Sequence, residues 1–215
     1  MRIRLSQITL QWPLKPLTFT NHAMHSTIFN STLFHPPLRW LSRKFLKMKG
    51  WQVDFSAIEG IDKCVLIGAP HTSNWDLPYA LMLGFSQDLP IYWMGKVQIF
   101  KFPFRRLMMW LGGIPIDRSK SVNVVSQAAA KLKQADQLYL VIAPEGTRAQ
   151  VDEWKSGFYY IAHQAGVPVM ATYIDWRTRR AGIYTAYYTS GDADQDIAEI
   201  KALYGDLLLR HKGNQ

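Results

Sequence analysis

Beyond residue 50 the chain alternates short apolar runs with stretches of helical periodicity, and this alternation leaves few folds open. The runs are CVLIGA at 64–69, LPIYWM at 89–94, IPID at 114–117, LYLVIA at 138–143, VPVMATYI at 167–174 and GIYTAYYTS at 182–190. Brief runs rich in β-branched and aromatic residues, bounded by turn residues, read as strands buried on both faces. Between them lie helical patterns: one from about Asp76 to Phe85, VNVVSQAAAKLKQA at 122–135 capped by Ser119 or Ser121, FYYIAHQA closing on Gly166, and a tail from Asp194 to His211. Strands alternating with helices predict one α/β domain over 51–215, with a largely parallel or mixed central sheet flanked by helices. The stretch 95–113 carries basic and aromatic residues before a glycine pair and is assigned no element.

Charge is distributed unevenly. Residues 1–50 hold eight Lys and Arg and no acid, whereas 51–215 hold 17 basic and 16 acidic residues. The basicity therefore belongs to the N-terminal segment, where nucleic acid or an anionic membrane surface is a suitable partner. No helix-turn-helix or other reading motif supports nucleic acid. Residues 1–35 are expected to be disordered, or the true start to be Met24. Pro13, Lys15 and Pro16 interrupt any secretory pattern. Residues 36–50 are expected to form a basic amphipathic helix. Leu38, Leu41, Phe45, Leu46 and Met48 fall on one side, and Arg39, Arg43, Lys44 and Lys47 on the other with Trp40. Such a helix either lies in a membrane interface or packs on its own domain. No window of about 18 apolar residues exists, so no transmembrane helix is expected. The single cysteine, Cys64, lies within an apolar run and reads as a core residue.

Three charged turns follow apolar runs: His71–Asp76, Asp117–Arg118 and Glu145–Arg148. In an open α/β sheet, ligands bind outside the carboxyl ends of the strands, so these turns are candidates to share one site. Ser73 and Asp76 have the spacing of a capping box, which explains Asp76 without any function. It does not explain His71, whose Nδ1–H can reach the Asp76 carboxylate and leave Nε2 to take a proton. In PEGTR, Gly146 permits close backbone approach and Arg148 offers a planar fork suited to phosphate; an ordinary turn with an exposed ion pair is the alternative. There is no GxSxG and no HExxH, so neither a serine nucleophile nor a zinc-hydrolase centre is expected, and no metal is assigned.

Taken together, HTSNWD at 71–76, GGIPIDRS at 112–119, PEGTR at 144–148 and GVPVM at 166–170 resemble, in residues and order, the glycerolipid acyltransferase family typified by 1-acylglycerol-3-phosphate acyltransferases. Pro70 stands where that family often has asparagine. The resemblance implies transfer of an acyl chain from a thioester to a lipid hydroxyl without a cofactor, the donor being acyl-coenzyme A or an acyl carrier protein. It implies His71 as base and Asp76 as its orienting carboxylate. It also implies that Arg118, Glu145, Gly146, Thr147 and Arg148 bind the acceptor's polar head, with Lys96 and Lys101 as further candidates. Backbone amides near Gly146 or Ser73 would then stabilise the oxyanion. The partners implied are a lipid acceptor and the cytoplasmic face of an anionic membrane, with no nucleic acid. A lipid-binding module of the same shape without turnover is the alternative.

Overall fold

The structure is a computed structural model and describes residues 26–71, 73, 75–116, 121–146, 153–205, 207 and 208. At its centre lies β2, Lys63–Gly68, whose side chains alternate between two cores. Val65 and Ile67 enter one, Cys64 and Leu66 the other. Burial on both faces is why CVLIGA shows no polar alternation. Two strands pair with β2 in parallel: β5 (Leu138–Ile142) and β6 (Val169–Asp175). Beyond β5, β3 (Ile91–Lys96) and then β4 (Gly113–Ile116) continue the parallel set. On the other side β7 (Arg180–Tyr187) runs antiparallel to β6, and the three-residue β1 (Gln52–Asp54) lies beside β7. The mixed sheet of the described residues has the order β1-β7-β6-β2-β5-β3-β4. This is the expected fold class, and Pro115 falls on the edge strand β4, where a missing N–H is tolerated.

Helices cover both faces of the sheet. On one, Leu132 of α4 (Ser121–Gln134), Phe158 and Ile161 of α5 (Gly157–Ala165) and Ile200 of α6 (Ala193–Ala202) pack on Val65, Ile67, Leu140 and Val169. On the other, Phe85 of α2 (Asp76–Ser86) joins Phe29, Leu66, Tyr139 and Met170. Helix α5 ends at Gly166 in the left-handed region, φ 67°, which a glycine adopts without the Cβ penalty. Cys64 is fully buried, and burial pushes its thiol well above the usual range, so it is an inert core residue as expected.

The N-terminal expectations need two corrections. Residues 27–35 belong to the folded body: Thr27, Ile28 and Phe29 are buried, and the Phe29 ring stacks on Phe85 at 4.4 Å. Residues 1–25 lie outside the described residues. Helix α1 (His35–Met48) forms as predicted but packs along α2 with part of its cationic side inward. Arg39 Nη1 donates to both Asp88 carboxylate oxygens at 3.2 and 3.1 Å, and Arg43 Nη2 donates to the same group at 3.2 Å. Arg43 Nε also donates to the Ser86 carbonyl at 2.7 Å. At the end of α2 the Leu83, Gly84 and Phe85 carbonyls accept backbone N–H groups and Arg43 takes the Ser86 carbonyl, while both arginines complement the partial negative charge of that end. Leu41 and Met48, expected on the packed side, are exposed instead, because Ser42 and Leu46 make the buried contact.

The unassigned stretch contains a further short helix, α3 (Arg105–Trp110), preceded by a 3-10 turn at Val97–Phe100. No helix of the described residues is long and apolar enough to cross a membrane.

Candidate active site

Strands β2, β5, β3 and β4 are parallel neighbours, so their carboxyl ends open on one edge of the sheet. His71 follows β2 on that edge, Glu145 follows β5, and Lys96 ends β3. The topology thus brings the first and third charged turns together, although 74 positions separate His71 from Glu145.

His71 Nδ1 lies 2.9 Å from Asp76 Oδ2. A carboxylate only accepts, so Nδ1 carries the proton, and in the neutral ring Nε2 keeps its lone pair. Asp76 Oδ2 also accepts the Ser73 N–H at 2.8 Å. Both side chains are partly sheltered, 28% exposed for His71 and 14% for Asp76, which leaves the ring within reach of a substrate. The capping box is only half formed. Asp76 opens α2 and takes the Ser73 amide, as expected, but the Ser73 hydroxyl accepts the Trp75 N–H at 3.1 Å instead of the Asp76 N–H. The Asp76 N–H goes to the Ser73 carbonyl at 3.3 Å, so the backbone closes the turn that the hydroxyl was expected to close.

Glu145 differs more from expectation. It is buried, 6% exposed, and its Oε2 accepts the His71 backbone N–H at 2.9 Å. It braces His71 from behind and is not an open, exposed side chain. Burial raises its carboxyl above the ordinary range, and the bond from the His71 amide partly opposes that shift. Gly146 adopts φ +64°, the left-handed turn that PEGTR requires. A Cβ there would meet Lys155 Cδ at 3.1 Å, Cε at 3.2 Å and Nζ at 3.4 Å. The Lys155 side chain therefore lies along the turn, held by its backbone N–H to the Pro144 carbonyl at 2.9 Å. Sequence reading passed over Lys155; its only signal is a cation just ahead of the helix that follows PEGTR.

Lys96 and Lys101 are exposed at the same edge of the sheet, Lys96 as the last residue of β3 and Lys101 after the 3-10 turn. Arg118, Thr147 and Arg148 lie outside the described residues. Two of the expected oxyanion donors, the Gly146 and Ser73 amides, are already engaged. The Gly146 N–H goes to the Ala143 carbonyl at 3.1 Å, and the Ser73 N–H goes to Asp76. Tight turns satisfy their own amides, and that removes these two from service.

The burial of Glu145 has a consequence for stability. Glu145→Ala leaves the His71 N–H unpaired and should destabilise by about 1–3 kcal/mol. Glu145→Gln keeps an accepting oxygen and removes the charge. Between the ordinary glutamate value and the raised one, the unfolded chain releases its proton first, so this group's contribution falls as pH rises. The glutamine variant lacks that loss. Its melting temperature relative to the parent should rise from acid toward neutral pH, which thermal melts across that range would check.

Comparison with known proteins agrees with this fold. A model of the Acyltransferase family matches residues 52–175, more than half of the chain. Among solved structures the chain is similar to the crystal structure of the 1-acyl-sn-glycerophosphate (LPA) acyltransferase, PlsC, from Thermotoga maritima. The TM-score is 0.60 at 19% identity, covering 85% of this chain and 81% of that chain, a likeness that speaks for the fold. No curated protein matches. The matched span contains HTSNWD, GGIPIDRS, PEGTR and GVPVM, the motifs that carried the resemblance. The chain belongs to the acyltransferase family.

Proposed function

We propose that this enzyme moves a fatty acyl chain from a thioester, acyl-coenzyme A or an acyl carrier protein, to a hydroxyl of a lysophospholipid-type acceptor. The observation that carries the reading is the 2.9 Å contact between His71 Nδ1 and Asp76 on a partly open ring. His71 Nε2 takes the acceptor's hydroxyl proton as the oxygen attacks the thioester carbonyl. Collapse of the tetrahedral intermediate expels the thiolate, which recovers the proton from the imidazolium. Asp76 holds the tautomer and offsets the imidazolium charge. No acyl-enzyme is required, and Cys64 is too deeply buried to form one.

A phosphate on the acceptor suits the cations assigned here: Arg118 and Arg148, then Lys96, Lys101 and Lys155, with Gly146 and Thr147 shaping the turn. The PlsC likeness favours the same class, since that protein acts on a lysophosphatidate. The reading places the enzyme in phospholipid biosynthesis, peripheral on the cytoplasmic face of a membrane that holds its acceptor. Incubation of the purified enzyme with labelled acyl-coenzyme A or acyl carrier protein and a lysophospholipid panel, followed by product identification, tests it. Failure to acylate any acceptor with either donor would leave a lipid-binding module in its place.

Arg148→Ala and Arg118→Ala should each raise the acceptor KM by about 10–100-fold, the worth of a charge-assisted bond to phosphate. The donor KM should change little. Equal effects on both constants, measured by varying one substrate at saturating levels of the other, would overturn the head-group assignment.

A further inference from the structure

The exposed apolar side chains of residues 97–107 form a surface that acyl transfer does not explain. Phe102 is 94% exposed, and Val97, Ile99, Phe104 and Leu107 are exposed beside it. The segment is nonetheless anchored from beneath. Phe100 is buried and stacks on Trp93 at 5.7 Å, and Trp93 Nε1 donates to the Leu111 carbonyl at 2.9 Å. Glycine is needed under it: a Cβ at Gly113 would meet the Met108 carbonyl at 2.6 Å and Phe100 Cε1 at 2.8 Å. A loop fixed this closely holds its outer rings in water at a cost that burial elsewhere would relieve. The apolar surface continues past α3. Trp110 meets the Phe34 ring edge-on at 5.3 Å, and Leu33 is exposed next to it.

The charge on this face decides among occupants. Between Asp88 and Asp117 the sequence has four cations, Lys96, Lys101, Arg105 and Arg106, and no acid. All four are exposed. A second copy of the chain would bring two such sets face to face and repel. Aliphatic and Phe side chains ringed by cations match acyl chains beneath anionic head groups. On the cationic side of α1, Arg39 and Arg43 are engaged with Asp88 and Ser86, while Lys44 and Lys47 stay exposed. The patch also follows the carboxyl end of β3, on the edge that holds His71 and Glu145. We infer that the face formed by residues 97–107 docks on an anionic lipid bilayer, with Phe102 and Phe104 entering the acyl boundary and Arg105 and Arg106 meeting head groups. Docking there sets the candidate active site beside the leaflet; only that purpose rests on the acyl-transfer reading.

Flotation of the full chain on phosphatidylcholine vesicles with and without phosphatidylglycerol tests this. Phe102→Ser and Phe104→Ser should each weaken binding by about tenfold. Arg105→Gln and Arg106→Gln should each lower affinity for the anionic vesicles by roughly fivefold and spare the neutral ones. Because Cys64, the one cysteine, is buried, a Phe102→Cys variant takes a thiol-reactive fluorophore at that position alone. Its emission should shift to the blue when anionic vesicles are added. Parental flotation by the Phe102→Ser/Phe104→Ser double variant would overturn the proposal. So would an unshifted label, and either result with a lowered melting temperature or an altered oligomeric state would assign the patch to packing within the chain or to a second copy. Flotation needs no turnover, so His71→Ala should float like the parent, and a failure here leaves the acyl-transfer reading standing.

Discussion

Replacing His71 with alanine should lower acyl transfer by about 10²–10⁴ or more while the fold survives. His71 is held at two points. Glu145, from the end of β5, accepts its backbone N–H at 2.9 Å, and Asp76, from the first turn of α2, accepts its ring N–H at the same distance. The first bond is made by the backbone and persists in the variant. Asp76 loses one donor but keeps the Ser73 N–H at 2.8 Å, so no buried acceptor is left bare. The side chain is partly exposed, and its removal should shift stability by no more than about 1 kcal/mol. Initial rates with a thioester donor and a lysophospholipid acceptor, beside a thermal melt, separate the two effects. Near-parental turnover in a folded variant would sink the general-base assignment.

The strands and helices were legible because their signals are local. CVLIGA is apolar at every position since both faces of β2 are covered, and Gly166 stops α5 because it alone enters the left-handed region there without a penalty. The His71–Asp76 pair was legible for the same reason, since five positions and one turn fix it. What stayed hidden depends on pairs far apart in the chain. Nothing in PEGTR says that Glu145 will be buried against the His71 amide; that follows only once β5 lies beside β2 with Ile142 opposite Ile67. The orientation of α1 on the domain is likewise set by Asp88, 49 positions from Arg39, a partner that the helix's own periodicity does not name. The Lys155 side chain reaches Gly146 only because the chain returns to the Pro144 carbonyl. In the stretch after β3, no single period describes residues whose inner member, Phe100, is anchored on Trp93 of β3 and whose outer members are left in water.

Asp76→Asn should be the second most damaging change, and its geometry separates two ways of failing. An amide at this position can offer its oxygen or its NH2 to the histidine. If the NH2 faced His71 Nδ1, the ring would be held in the wrong tautomer and Nε2 would carry the proton it is meant to take. Here a second donor argues against that flip. Ser73 N–H and His71 Nδ1–H converge on one oxygen, at 2.8 and 2.9 Å, and an NH2 in its place would oppose the Ser73 amide. The oxygen should therefore stay where Oδ2 now lies, and the tautomer with it. What the variant loses is the negative charge that offsets the imidazolium as it forms, a difference of about 1.5–3 kcal/mol for a bond to a charged group. The expected fall in kcat is then roughly 10–150-fold, with the acceptor KM nearly unchanged. Asp76→Ala, which frees the His71 and Ser73 donors, should fall further and also lose about 1–3 kcal/mol of stability. A fall for Asp76→Asn as deep as that for His71→Ala would mean that the amide has flipped and the tautomer has gone with it. Parental kcat in Asp76→Asn would show that the carboxylate's charge plays no part in the transfer.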